Sequence, residues 1–288
     1  MDATFGGGGH TRAVLAAHPA NRVLACDRDA TALDAGRLSL GADAERVEFV
    51  HDDYRSLPGL LAGRSDVEPL GVVVDMGIST IQLLDAGRGF AFSLDGPLDM
   101  RMDRTSGPSA ADLVNELPEM DLRKIIFRLG EERQAARISR AIVARRSREL
   151  FTSTADLADC VSQAIPAAVR RQQKIHPATR TFQALRIAVN DELTGLDAFV
   201  SELVTALTPG ARAVFIAFHS LEDRPVKQAL RRLESPCTCP PSLPVCACGL
   251  QPLVRLLNRR AARPLAAEVA SNPASRSARL RAAERIAA

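Results

Sequence analysis

The chain has 288 residues, 46% hydrophobic and 25% charged, with 18 Gly and 17 Pro, a globular composition that excludes wholesale disorder and collagen-like repetition. No apolar run approaches the roughly 18 to 20 residues that cross a bilayer, and the start, Met1-Asp2-Ala3-Thr4-Phe5-Gly6, lacks the basic-then-apolar plan of a signal peptide. The expectation is a soluble, cytoplasmic protein with reduced thiols and no membrane partner. The formal charge of +3 conceals a division: residues 123–186 hold 14 Lys+Arg against 5 Asp+Glu, residues 224–288 hold 12 against 3, and the remainder is acidic. Basic surfaces on an acidic body suit a polyanionic partner, although a scarcity of aromatics, with no Trp and 1 Tyr, argues against a broad base-stacking platform.

In chain order, Asp2-Ala3-Thr4-Phe5-Gly6-Gly7-Gly8-Gly9-His10-Thr11 places four consecutive glycines between a strand end and a helix over residues 11–17. Glycine lets the backbone turn tightly and approach a ligand with no Cβ in the way. The run Arg22-Val23-Leu24-Ala25-Cys26 reads as a buried parallel strand ending at Asp27, where a carboxylate can accept hydrogen bonds from ribose hydroxyls. A helix over residues 30–40 follows, then a second strand, Gly71-Val72-Val73-Val74, ending at Asp75, so the start of the chain reads as βαβ units of an open α/β sheet. The third glycine of a dinucleotide fingerprint would fall at Thr11, which disfavours nicotinamide and flavin cofactors. Asp2, ahead of the turn, suits a cofactor with a cationic amino-acid end, as S-adenosylmethionine has.

From residue 109 to about 188 strand signals give way to helices, with start signals at Ser109-Ala110-Ala111-Asp112 and at Thr152 or Ser153. Within 131–148, Arg133, Arg137, Arg140 and Arg148 share a sector of roughly 80° at about 100° per residue, opposite Ile138 and Ile142. That arginine face serves either phosphates or solvent. After Pro209-Gly210 a third strand, 213–218, ends at His219, and the Pro- and Arg-rich tail beyond Ser235 reads as irregular. The organisation predicted is a sheet domain in two parts, 1–106 and 189–288, around a basic helical insert at 107–188.

Several runs together resemble one family: Asp2-Ala-Thr-Phe-Gly with Gly8-Gly9-His10, Ala25-Cys26-Asp27-Arg28-Asp29, Asp75-Met76-Gly77-Ile78-Ser79, Arg88-Gly89-Phe90-Ala91-Phe92 and Gly96-Pro97-Leu98-Asp99-Met100-Arg101-Met102-Asp103. Gly130-Glu131-Glu132-Arg133, the run from His176 to Ala184 and Phe218-His219-Ser220-Leu221-Glu222-Asp223-Arg224 agree. The chain resembles the RsmH (MraW) family, bacterial enzymes that methylate N4 of a cytidine in small-subunit ribosomal RNA with S-adenosylmethionine. The resemblance implies a class I S-adenosylmethionine-dependent methyltransferase (Rossmann-like) α/β fold with an inserted helical domain. It also implies, as partner, small-subunit ribosomal RNA or the assembled small ribosomal subunit. Carried over by motif, Gly8, Gly9 and His10 would meet the methionine end of the cofactor, Asp27 the ribose and Tyr54, where the family usually has Phe, the adenine, with Asp75 and Gln82 completing the set. Departures are Gly7 for a usual Arg, Ile81 for a usual Pro, and a first strand that the family runs ahead of the glycine turn and that is expected to be cut short here.

Cytosine N4 is a poor nucleophile because its lone pair is delocalised, so a hydrogen-bond acceptor at an N4 proton must make it more amine-like. Asp75, ending a strand at the sheet's switch point, is the first candidate; Ser79, Asp99, Asp103 and the strand-end His219 are the others. Asp99 and Asp103 read equally well as partners of Arg101 in a loop. Arg180 joins Arg133, Arg137, Arg140 and Arg148 as an expected RNA contact. Cys237, Cys239, Cys246 and Cys248 form two Cys-x-Cys pairs, which admit a closed structural zinc site or simply four thiols or disulfides, with no His, Asp or Glu nearby for a catalytic metal. Cys26 and Cys160 read as small buried hydrophobes. Competing readings are a methyltransferase acting on another RNA or a small molecule, and a non-catalytic RNA-binding module with a vestigial nucleotide fold.

Overall fold

The computed structural model of the protein describes residues 1–240 and 247–287. In chain order its elements are α1 (Gly9–Ala17), β1 (Val23–Asp27), α2 (Ala30–Leu40), β2 (Val47–His51), α3 (Leu57–Ala62), β3 (Gly71–Asp75), α4 (Thr80–Leu84), α5 (Ala110–Glu116), α6 (Glu119–Gly130), α7 (Ala135–Arg146), α8 (Thr154–Ala164), α9 (Ala167–Gln172), α10 (Thr179–Asn190), α11 (Leu196–Ala206), β4 (Arg212–Ala217), α12 (Ser220–Glu234), β5 (Val254–Leu256), α13 (Ala266–Ser271) and β6 (Arg279–Arg285). They divide between two compact units, one of residues 1–77 with 193–288 and one of residues 78–192.

The first unit is built on a sheet. β1 pairs with β2 and β3 with β4, both in parallel, while β6 runs antiparallel between β4 and β5. Residues 1–5 join the halves: the Asp2 and Phe5 amides donate to the Leu24 and Cys26 carbonyls, both at 2.9 Å, and the Ala3 amide donates to the Val73 carbonyl at 2.8 Å. The short segment ahead of the glycine turn therefore fills the central position of the sheet, bridged on both sides through Asp2. The strand order reverses there, which is the switch point of a doubly wound α/β sheet.

β1 shows why its residues must all be apolar. Leu24 and Cys26 enter one core with Val74, Phe199, Leu203 and Phe215, while Val23 and Ala25 enter another with Phe5, Leu15 and Leu33. A strand covered on both faces has no polar side to show. The tail differs from expectation. It is only partly irregular: it supplies β5, α13 and β6, and arginines that suggest a solvated tail are neutralised in place. Asp223 accepts from Arg281 Nε and Nη2 at 2.6 and 3.1 Å, and Glu284 accepts from Arg255 at 3.0 Å. Paired charges hid the strand's period.

The second unit is helical. α6, α7, α8 and α10 bury Leu122, Ile126, Ile138, Ile142, Leu157 and Leu185 in one core. Gly130 sets the closest approach: a Cβ there would stand 2.5 Å from the Arg180 carbonyl oxygen, so α6 meets α10 only because that side chain is absent. Phe90, Leu98 and Met100 belong to the same core, so the unit starts at Ile78, and the boundary drawn in sequence at 106/107 falls inside it. Among the described residues no helix is long and apolar enough to cross a membrane.

Candidate active site

In the first unit α1 rises directly from the glycine turn. Its N-cap, Gly8, has φ 73 and ψ 19, a left-handed conformation that a side chain resists, and a Cβ on Gly9 would meet nothing within 4 Å. The first-turn amides of Gly9, His10 and Thr11 find no acceptor within the helix, and such an end attracts anions. Asp2 is 1% exposed and accepts from the Thr11 hydroxyl at 2.7 Å and the Thr4 amide at 3.3 Å. It clamps the turn to the sheet, a different task from receiving a cationic cofactor end. Asp27 steadies the same turn: Oδ2 accepts from the Gly6 amide at 2.7 Å and Oδ1 from the Asp29 amide at 2.9 Å. Burial pushes its carboxyl above the usual range despite both amide bonds. Tyr54 stands half-buried, its ring tilted against Phe199 with centroids 4.8 Å apart.

Asp75 ends β3 beside this turn, its amide donating to the Thr4 hydroxyl at 2.7 Å. Its Oδ1 is buried and accepts no hydrogen bond among the described residues. Burial pushes the carboxyl up to about 6; the charge of His10 opposes the shift, and those of Asp2 and Glu222 add to it. His219 Nε2 lies 3.0 Å from Glu222 Oε1, and Glu222 Oε2 accepts the Phe218 amide at 2.9 Å. The His219 imidazole, a candidate base or a structural hydrogen-bonding group by sequence, is thus paired with a carboxylate at the start of α12.

The second unit treats its candidates differently. Ser79 and Gln82 form a capping box on α4: the Ser79 hydroxyl accepts the Gln82 amide at 3.2 Å, and Gln82 Oε1 accepts the Ser79 amide at 3.0 Å. Asp99 accepts Arg101 Nε at 2.7 Å and Nη2 at 3.1 Å, with Arg104 at 3.3 Å. Burial alone would raise its pKa, but Arg101 and Arg104 hold it below the usual range. Asp103 accepts the Thr105 amide at 2.8 Å and hydroxyl at 2.6 Å. Asp99 thus shows the Arg101 pairing, one of the two readings open to it by sequence, while Asp103 accepts from Thr105 of its own loop. α7 covers only part of the expected 131–148 helix, yet Ile138 and Ile142 are buried and Arg133, Arg137, Arg140 and Arg148 are exposed, as the sector demanded. Arg180 instead turns to its own unit, 3.4 Å from the Glu131 carbonyl and 3.9 Å from Glu132. Back in the first unit, the thiols of Cys237, Cys239 and Cys248 gather together, and Cys246 lies outside the described residues.

The sequence profile of the MraW methylase family matches residues 1–286. The chain belongs to the MraW methylase family. It is 49% identical over 288 residues to the ribosomal RNA small subunit methyltransferase H of Thermomicrobium roseum, covering 100% of this chain and 87% of that protein. It is 48% identical to the enzymes of the same name from Syntrophobacter fumaroxidans, over 99% of this chain and 89% of that protein, and from Thermobifida fusca, over 99% and 86%. Membership in the MraW family makes the chain a methyltransferase of the class I fold and implies S-adenosylmethionine as its methyl donor.

The first unit fits that donor. A helix start with open amides suits a carboxylate, Asp27 keeps lone pairs beyond its two amide bonds, and the orphan Oδ1 of Asp75 calls for an N–H. Several MraW motifs of the second unit are architectural: His176 stacks on Phe92 with centroids 4.5 Å apart, and buried Arg88 donates to the Met102 carbonyl at 2.8 Å. Glu222 is what sequence reasoning missed. In Ser220-Leu221-Glu222-Asp223 it resembles an ordinary helix-start acid, and only its burial to 1% exposure separates it from one.

Proposed function

We propose that the chain methylates N4 of a cytidine in small-subunit ribosomal RNA, as a cytoplasmic enzyme acting on the RNA or the small subunit. The reading rests on relatives named as small-subunit ribosomal RNA methyltransferases and on the resemblance that implies cytidine N4 as the acceptor, with Asp75 as the residue that meets the amine. S-adenosylmethionine supplies an electrophilic methyl group on a sulfonium centre. Gly8, Gly9 and His10 hold its carboxylate at the start of α1, Asp27 takes the ribose hydroxyls on its remaining lone pairs, and Tyr54 offers a ring face to the adenine. Ser79 and Gln82 are left out of this set, since the capping box occupies the Ser79 hydroxyl and Gln82 Oε1.

The observation that carries the proposal is the buried, unsatisfied Oδ1 of Asp75. As a carboxylate it accepts a hydrogen bond from N4, draws the nitrogen toward an amine-like state, and then holds the proton that N4 loses as the C–N bond forms and the methyl–sulfur bond breaks, its electron pair staying on a neutral thioether. A pKa near 6 keeps Asp75 ionised at neutral pH and leaves it basic enough to take that proton. Arg133, Arg137, Arg140 and Arg148 serve the phosphate backbone, which positions the target without reading it.

The test is transfer of labelled methyl from S-adenosylmethionine to small subunits lacking the modification, followed by nucleoside analysis. The expected product is N4-methylcytidine. Label on another nucleoside, on ribosomal protein or on a small molecule would replace this reading, and cofactor binding without any transfer would favour a vestigial fold.

A further inference from the structure

α12 ends at Glu234 and β5 begins at Val254, and the described residues between them, 235–240 and 247–253, lie in neither helix nor strand. The ends of this connection are tied where the Leu253 amide donates to the Leu233 carbonyl at 2.8 Å and the Leu256 amide to Glu234 at 3.2 Å. The stretch contains no Asp, Glu, Lys, Arg or His. It does contain cysteines, and the Sγ atoms of Cys237, Cys239 and Cys248 all lie within 4.8 Å of one another.

We propose that Cys237, Cys239 and Cys248 bind a structural zinc ion that pins this connection. Tetrahedral zinc with Zn–S distances of about 2.3 Å places its sulfurs about 3.8 Å apart, so the three thiols need only a small inward movement to meet one ion. Ligands drawn from both ends of the connection, Cys237 and Cys239 near α12 and Cys248 near β5, close it as a single loop. Three soft sulfurs and no hard oxygen ligand select zinc over calcium or magnesium. Each thiol gives up its proton to solvent as it ligates, and the cation balances the thiolate charge that this stretch, without Lys or Arg, cannot. The site has no part in the methyl-transfer chemistry and stands or falls apart from it.

The test uses the full chain, purified under reducing conditions and dialysed against a chelator, with metal measured by mass spectrometry. One zinc per chain is expected to survive dialysis and to be released when the thiols are alkylated. Cys239→Ser and Cys248→Ser should lose that zinc, whereas Cys160→Ser, which is not one of the three, should keep it. Because a ligand variant can fail to fold, the wild-type protein is also exchanged with cobalt: a thiolate-to-cobalt charge-transfer band with tetrahedral d–d absorption is the expected spectrum. Wild-type protein that retains no zinc, that holds iron instead, that keeps zinc in Cys239→Ser, or that shows a disulfide between two of the three cysteines after rapid alkylation would each overturn the assignment.

Discussion

Asp75 in the first unit and Asp99 in the second are both motif acids with little exposure, yet their surroundings drive them in opposite directions. Asp75 has an unsatisfied oxygen, acids nearby and a pKa raised to about 6. Asp99 accepts two hydrogen bonds from the Arg101 guanidinium, has Arg104 within 3.3 Å, and stays below the usual carboxylate range. Burial costs each carboxylate its hydration; only Asp99 is repaid by fixed partners. A carboxylate left uncompensated is available to a substrate, and one that is fully engaged holds a loop together.

That contrast fails if the two acids respond alike to substitution. Asp75→Asn should lower methyl transfer about 10²- to 10³-fold at saturating cofactor, the scale of removing one preorganised transition-state contact, while RNA affinity stays within a few-fold. A rate near wild type would make Asp75 structural. The acid limb of kcat/KM should inflect near pH 6 in the wild type and vanish in Asp75→Asn, because the N4 acceptor must be ionised. Linkage adds a sign. The raised pKa means that protonated Asp75 favours the folded state, a contribution lost as pH rises through about 6, so the Tm advantage of Asp75→Asn over wild type should grow between pH 5 and 7.

Asp99→Ala should do the reverse: cost roughly 2 to 3 kcal/mol of stability through lost charge-assisted bonds, with turnover per folded molecule nearly unchanged. Its folded pKa is depressed, so this stability is present above the unfolded pKa of about 4 and disappears as pH falls through the folded value. Urea titrations at pH 7 and pH 3 that gave the same difference between variant and wild type would contradict it.

A smaller effect belongs to Asp27. Its Asp27→Ala variant should lose about 2 kcal/mol of S-adenosylmethionine affinity by calorimetry, the scale of leaving polar partners unpaired. Because Asp27 also holds the Gly6 and Asp29 amides, Tm should fall as well. Unchanged affinity would remove it from the cofactor site. Smallest is the arginine face, where changing Arg137 and Arg140 to Gln should flatten the log–log salt dependence of RNA binding by about 1 to 2 and leave cofactor affinity alone. An unaltered slope would mean that these side chains face only water.

Much of the sheet was legible because its signals are local. β1, β3 and β4 are apolar runs that end at Asp27, Asp75 and just before His219, and a fully covered strand cannot disguise itself. β6 was not, since its character depends on Asp223 meeting Arg281 and on its own Glu284 meeting Arg255 of β5 across the fold. The candidate site divides in the same way. Glycines and strand-end acids announce themselves, whereas the fate of Asp99, Asp103, Ser79 and His219 is decided by hydrogen-bond partners that residue type and spacing do not reveal. Within α7 helical periodicity alone separates exposed Arg137 and Arg140 from buried Ile138 and Ile142, whereas Arg133 and Arg148 lie beyond its ends.

The parallel pairing of β3 with β4 bears on how the chain must be made. β3 ends at Asp75 and β4 begins at Arg212, with the whole of residues 78–192 synthesised between them. During translation β3 has an open edge with no partner until β4 emerges, and open edges invite pairing with other chains. The helices of residues 78–192 pack on one another around a core of their own, so they can be folded before β4 leaves the ribosome. Loop closure then grows only slowly with length, about 0.6 kcal/mol per doubling, and a pre-folded insert shortens the loop that remains to be closed. An insert that collapses early thus acts as an internal chaperone for the sheet it interrupts, and destabilising α6 or α10 should show first as aggregation of nascent chain.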